Sequence, residues 1–318
     1  MNMKAYTIFD DFPDDAIREL LVNGVEITIH PEGKPRPNDF EMTRLLEDYE
    51  CLIIGTSQKI KDYMLNNING KRIIATASVG IDHIHIPAEK KAIVKIINTP
   101  KAVIKSVTEF TIACALTCCK RLAEGSKLYL SGSDNKALHR KPEDLYESVI
   151  GVVGAGNIST SIIQYASFLG MKVLCWTPHP ENHLDITEHG GKFVSLEYLA
   201  ANSDIISLNL PNVDSAHGII SRQIISLMKD TAIFISVSRL EILDINALLK
   251  KAFENPDFYI CLDLDVNDCV VKALRKQPNI LVTPHIAAGT IKTRQRMFRE
   301  ATSNIIRYIK GKEYNQCS

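Results

Sequence analysis

The chain has no apolar run approaching the ~20 residues that a membrane-spanning helix needs. Its first residues, 1–11 (MNMKAYTIFDD), enter a strand pattern directly instead of forming a charged and then apolar leader. The expectation is a cytoplasmic protein with no membrane partner. Net charge is also missing, since 37 Lys and Arg balance 37 Asp and Glu. No long-range field would therefore draw in nucleic acid or an acidic membrane surface. No two of the eight cysteines form a C-x-x-C pair, and most lie in apolar segments. Buried, reduced thiols are expected, and no metal site. Internal repeats and low-complexity tracts are absent too. What remains is a 318-residue chain, long enough for two domains and suited to a small neutral or anionic ligand held by local groups.

At 149–159, VIGVVGAGNIS, an apolar run stops at Gly154, Ala155 and Gly156. A helical pattern then begins, with Ile158, Ile162, Ile163, Ala166 and Leu169 on one face. This is the layout of a dinucleotide cradle. Gly154 permits a tight turn, Gly156 lets a pyrophosphate approach, and the N–H groups of Asn157 and Ile158 open the helix. The third glycine of G-x-G-x-x-G is replaced by Ser159, small enough for close helix-to-strand packing. Taken alone, the turn fits an ordinary strand-to-helix junction equally well.

Before this stretch, strand patterns at 3–9, 25–29, 51–54, 72–75 and 94–97 alternate with helical ones. The helices open at Asp14 and lie near 39–46, 60–65 and 83–90. After it, strands are expected near 173–176, 204–208, 232–236, 259–262 and 279–283. Such alternation predicts α/β architecture, with parallel sheets covered by helices on both faces. Between the two runs, Ser106 and Glu109 read as a capping box opening a long, largely buried helix, and 131–147 read as a polar surface excursion. A closing helix at 290–309 carries Met297, Ala301, Ile305, Tyr308 and Ile309 at helical spacing and stops at Gly311.

Seven ordered segments carry a resemblance: SVGIDHIHI at 78–86, NTP with SVTEF at 98–110, GVVGAGN at 151–157, SDIISLNLP at 203–211, MKDTAIFISVSR at 228–239, LDLDVND at 262–268 and PNILVTPHIAAGT at 278–290. With these the chain resembles the D-isomer-specific 2-hydroxyacid dehydrogenase family over nearly its whole length. The resemblance implies two Rossmann-like, doubly wound parallel-sheet domains with a cleft between them. A discontinuous substrate domain would comprise 1–103 and 290–318, and a dinucleotide-binding domain 104–289. A homodimer is implied, as is NAD(P)H-dependent reduction of a small 2-oxo acid to the D-2-hydroxy acid, or the reverse.

That chemistry needs a cation for the carboxylate, a proton donor for the carbonyl oxygen and a hydride at the carbonyl carbon. Arg239, just after AIFIS, matches the family's catalytic arginine, whose planar fork can grip a carboxylate and polarise the adjacent carbonyl. His285, in TPHIAAGT, matches the family's general acid and base. By itself, a His after Thr-Pro fits a helix cap equally well. The family's catalytic glutamate falls on Asp268, one methylene shorter, against which stands a solvated loop aspartate. Asp263 would correspond to the residue near the nicotinamide amide. Ser78, Val79 and Gly80 match the turn whose N–H groups bind the substrate carboxylate.

Departures from the pattern cluster near these residues. Where the family reads Asn-x-x-Arg-Gly, this chain has Ser236 and Leu240 around Arg239, which adds bulk and restricts the backbone. Thr177 stands where NAD-preferring members carry an acid, with only His179 and His183 nearby to meet a 2'-phosphate. NAD is the expected cofactor, with NADP open. Gly55 replaces an Arg common in phosphate-recognising relatives, although Lys59, Lys101 or Lys105 could compensate. The alternative that these departures support is a dinucleotide-binding regulatory or scaffold protein with little turnover.

Overall fold

The computed structural model describes residues 3–264 and 277–315. The chain forms two compact units, Met1–Val103 with Thr290–Ser318, and Ile104–Gly289. Each is built on one all-parallel sheet.

The first unit has five strands: β1 (Met3–Thr7), β2 (Val25–Ile29), β3 (Cys51–Ile54), β4 (Arg72–Thr76) and β5 (Val94–Ile97), in the order β2-β1-β3-β4-β5. The inner strand β3 reads CLII and is buried at every residue, as a strand covered on both faces must be. Helix α1 (Asp14–Val22) and α2 (Asp39–Asp48) connect the first strands. Asn38 and Glu41 form a reciprocal capping box at the start of α2. The closing helix, Ile291–Ile309, begins at Thr290, whose hydroxyl accepts from the Thr293 N–H, and buries Phe298, Ala301, Ile305 and Ile306 in this unit's core. The helices expected near 60–65 and 83–90 are only short 3₁₀ turns, Asp62–Leu65 and Ala88–Lys90. Ile60 instead forms a β-bridge with Ile84 ahead of the first turn, and Pro87 fixes the second turn's entry.

Among the described residues the second unit has seven strands: β6 (Val149–Val153), β7 (Lys172–Trp176), β8 (Gly191–Phe193), β9 (Ile205–Leu208), β10 (Ile233–Ser236), β11 (Tyr259–Asp263) and β12 (Ile280–Thr283). Their order is β12-β11-β10-β9-β6-β7-β8. Its helices among the described residues are α3 (Ile104–Cys119), α4 (Leu122–Leu130), α5 (Asn157–Phe168), α6 (Asp185–Glu188), α7 (Leu196–Asn202), α8 (Arg222–Leu227) and α9 (Ile245–Glu254). The two-residue period of a strand divides the core. Ile233 and Ile235 of β10 pack with α3 and α5, whereas Phe234 packs with α7, α8 and α9.

The capping box expected at Ser106 and Glu109 does not form. Helix α3 starts two residues earlier, and the Ser106 hydroxyl donates instead to the Ala287 carbonyl at 2.7 Å. The six cysteines among the described residues are unpaired and buried. Burial pushes the thiols of Cys51, Cys118 and Cys175 up to about 12. Among the described residues, no helix is long and apolar enough to cross a membrane, and no cluster of side chains suits a metal ion.

Candidate active site

In the second unit every strand points the same way, so the segments following β6, β9, β10, β11 and β12 share one sheet edge. Strand β6 lies between β7 and β9. The chain order reverses there, which opens a crevice at the carboxyl ends of the strands. Gly154 follows β6 with φ +106, and a Cβ on it would stand 2.9 Å from the Asn209 carbonyl oxygen. Only glycine fits both the conformation and the space. Gly156 caps the twelve-residue helix α5 with no side-chain cap, and a Cβ there would meet nothing within 4 Å. The first N–H groups of α5, at Asn157 and Ile158, thus open onto free space with the positive end of the helix dipole behind them. These residues fit a dinucleotide pyrophosphate.

Ser159, in place of the third glycine, is fully buried, and its hydroxyl has no partner among the described residues. Small size suffices at this packing position, and the oxygen is a liability. Ser159→Ala is accordingly expected to stabilise the protein by about 1 kcal/mol, raising Tm by a few degrees in a thermal melt without changing dinucleotide affinity. A loss of stability would contradict this.

Thr177 directly follows β7 and is half-buried, while His179 is exposed and paired with Glu181 at 3.3 Å. A carboxylate that the sequence reading missed does reach the first turn of α5. Asp185 Oδ2 lies 3.4 Å from Thr160 Oγ1.

Arg239 follows β10 in extended conformation (φ −75, ψ 154) and is half-buried. The preceding turn is pinned from within: the Ser238 N–H donates to Ser236 Oγ at 3.2 Å, and Ser238 Oγ donates to the carbonyls of Leu208 and Leu210 at 3.2 and 3.0 Å. Leu240 opens a short 3₁₀ turn and packs on the core. It is not among the left-handed residues, so the family's glycine is not required here for conformation.

His285 follows β12, is exposed, and holds a left-handed backbone, φ +53. That conformation is disfavoured for a residue with a side chain. Buried Asp263, the last residue of β11, holds it in place. Its carboxylate accepts from Thr283 Oγ1 at 2.5 Å and from the N–H groups of Ile286 and Ala287, each at 2.8 Å. Ser106 binds the same loop from the other side, through the Ala287 carbonyl. The sequence reading missed this brace, because its members lie 20 to 181 residues apart. Asp268 lies outside the described residues.

In the first unit, the turn after β4 carries Ser78, Val79 and Gly80. The carbonyls of all three are engaged, by the Thr99 N–H, Asn98 Nδ2 and Ser78 Oγ respectively. The N–H groups of Val79 and Gly80 bond none of the described residues, which suits an anion nest. Beneath them, Ser78 Oγ, Thr76 Oγ1 and buried His83 Nε2 form a chain at 2.8 and 2.9 Å. A Cβ on Gly55 would stand 3.0 Å from the Phe9 ring, so a larger residue at that position would displace the phenylalanine. Arg36 and Arg294 lie over that ring at 5.5 and 5.2 Å, two cations that the sequence reading did not single out.

Comparison with known proteins bears on the family and the fold. The family model described as D-isomer specific 2-hydroxyacid dehydrogenase, NAD binding domain, matches residues 112–287. The chain is 28% identical to a hydroxypyruvate reductase of Thermotoga maritima, covering 96% of this chain and 99% of that one. It is 28% identical to a glyoxylate reductase of Thermofilum pendens, covering 92% and 88%. A D-lactate dehydrogenase of Aquifex aeolicus, solved with NAD and lactic acid, superposes with a TM-score of 0.76 at 26% identity, covering 97% and 96%. The chain belongs to the D-isomer specific 2-hydroxyacid dehydrogenase family. It is an NAD(P)-dependent oxidoreductase of that class, and its second unit carries the NAD-binding domain.

Proposed function

We propose that the protein reduces a small 2-oxo acid of the glyoxylate or hydroxypyruvate kind to the D-2-hydroxy acid. One observation carries the reading: Arg239, the braced His285 loop and the Gly154–Gly156 turn occupy the same edge of one sheet. Gly154, Gly156 and the N–H groups of Asn157 and Ile158 hold the dinucleotide pyrophosphate. The reduced nicotinamide, when bound, supplies the hydride for the carbonyl carbon. Arg239 grips the substrate carboxylate and draws electron density toward the carbonyl oxygen. His285 gives that oxygen its proton and takes one back in the reverse direction. Asp268 is assigned to hold the imidazolium form of His285 through its opposite charge. Asp263 holds the loop. In the first unit, the N–H groups of the Ser78–Gly80 turn are assigned to a carboxylate oxygen.

Exposed apolar side chains on α4, Tyr129 and Leu130 at 81% and 82%, support a homodimer. Buried, unpaired cysteines suit a reducing cytoplasm. With no acid at Thr177 to repel a 2'-phosphate, NADPH is expected to serve alongside NADH. The test is oxidation of each nicotinamide, followed by absorbance, against glyoxylate, hydroxypyruvate, pyruvate, 2-oxobutyrate, phenylpyruvate and phosphonopyruvate. Saturable turnover is expected with the smaller acids. Tight dinucleotide binding with no oxidation by any acid would favour the scaffold alternative, which none of the relatives' names supports.

A further inference from the structure

The opposite edge of the second unit's sheet holds a cavity that this chemistry does not use. It measures about 180 Å³ and is lined by Ile205, Ile233 and Tyr259, the first residues of β9, β10 and β11. Arg121, between α3 and α4, stands in its wall with a side chain only 4% exposed. The guanidinium lies 4.1 Å over the Tyr259 ring, and the backbone of Arg121 is left-handed, φ +54. The fold therefore holds a buried cation here on a disfavoured backbone.

That cation is incompletely paired. The Glu124 and Asp257 carboxylates lie 3.8 and 3.7 Å away, beyond hydrogen-bond distance. Arg121 Nη1 and Asp257 Oδ1 are both buried and have no hydrogen-bond partner among the described residues. Among the described residues, the other charged side chains of the lining are engaged in ion pairs, apart from the exposed Lys141. Glu143 is paired with Arg140, Asp144 with Lys120, and Asp204 with Lys229. Glu124 accepts from the Tyr259 hydroxyl and the His139 N–H, each at 3.1 Å. His139 Nε2 stands 3.8 Å from Asp257.

The wall thus leaves one buried donor and one buried acceptor unsatisfied. A water occupies about 30 Å³, so the space exceeds what a single bridging water fills. A simple anion would suit Arg121 but face Asp257, and a simple cation would meet the reverse conflict. A ligand carrying both charges satisfies both. We propose that this cavity binds a small zwitterion of the α-amino acid class, its carboxylate accepting from the Arg121 guanidinium and its ammonium donating to the Asp257 carboxylate.

Calorimetric titration of the full-length protein tests this with glycine, L-serine and L-glutamate as probes. Inorganic phosphate and acetate are the anion controls. At least one amino acid is expected to bind at one site per chain. Asp257→Asn and Arg121→Gln should each weaken that binding at least tenfold, while Arg239→Ala leaves it intact. Asp257→Asn is the more tolerant variant, because its side chain is 36% exposed. NADH binding, at the other sheet edge, reports that each variant is folded. Four results would overturn the proposal: no heat from any amino acid, affinity unchanged in Asp257→Asn, binding lost in Arg239→Ala, or phosphate or acetate binding as tightly as the zwitterion.

Discussion

Arg239→Ala is expected to lower kcat/KM for a small 2-oxo acid about 10³-fold, or roughly 4 kcal/mol of transition-state stabilisation. The arginine is assigned two tasks that separate kinetically. Gripping the carboxylate acts in ground and transition states alike, so its loss raises KM. Polarising the carbonyl matters most as negative charge builds on oxygen, so its loss lowers kcat. Arg239→Lys should recover only part of the activity, since an ammonium is a point charge without the planar fork. The preceding turn is pinned by Ser236 and Ser238. Dinucleotide affinity and Tm are therefore expected to stay close to wild type, which separates lost chemistry from lost fold. Turnover that survives Arg239→Ala would remove this residue from the site.

The second large effect is expected at Asp263. Replacing it by Ala strands the N–H groups of Ile286 and Ala287 and the Thr283 hydroxyl, at a cost of about 2–4 kcal/mol. A thermal melt should show Tm lower by roughly 5–10 °C. The larger consequence is kinetic. His285 keeps its left-handed backbone because that carboxylate fixes the residues on both sides of it. Once released, the loop relaxes toward ordinary backbone and misplaces the imidazole, with an expected loss in kcat of about 10²-fold. Asp263→Asn should fall between, because its amide sets a donor against one of the N–H groups. Full activity and full stability in Asp263→Ala would show that the brace does not position His285.

Both sheets were legible in the sequence because their strands are short apolar runs spaced by helical patterns. The inner strands β3, β9 and β10 are buried at every residue, so their apolar character is almost unbroken. Strand β8 escaped notice because it is three residues long with a single buried position. The glycine turn could be read because backbone freedom and close approach each demand glycine, a requirement visible one residue at a time. Ser106 was misread for the opposite reason. Its spacing to Glu109 fits a capping box, but tertiary structure offered its hydroxyl the Ala287 carbonyl, 181 residues away. The brace around His285 and the partly paired Arg121 have the same origin. Polar partners brought together by sheet order leave no local pattern, since strands far apart in sequence become neighbours only after folding.

Leu240 shows a departure in sequence that carries less weight in structure. Reading a lost glycine there suggested a constrained backbone, yet the residue adopts no left-handed conformation and covers core. Ser159 likewise preserves the packing that its position requires, with an orphaned hydroxyl as the one cost. Of the departures that supported a scaffold, these two leave the described geometry of the cofactor turn and of Arg239 intact.

The most direct test of the account is the product itself. The purified full-length protein, given NADH and hydroxypyruvate, is predicted to form D-glycerate in a one-to-one ratio with the NADH consumed. The L enantiomer, or no product despite bound dinucleotide, would contradict it.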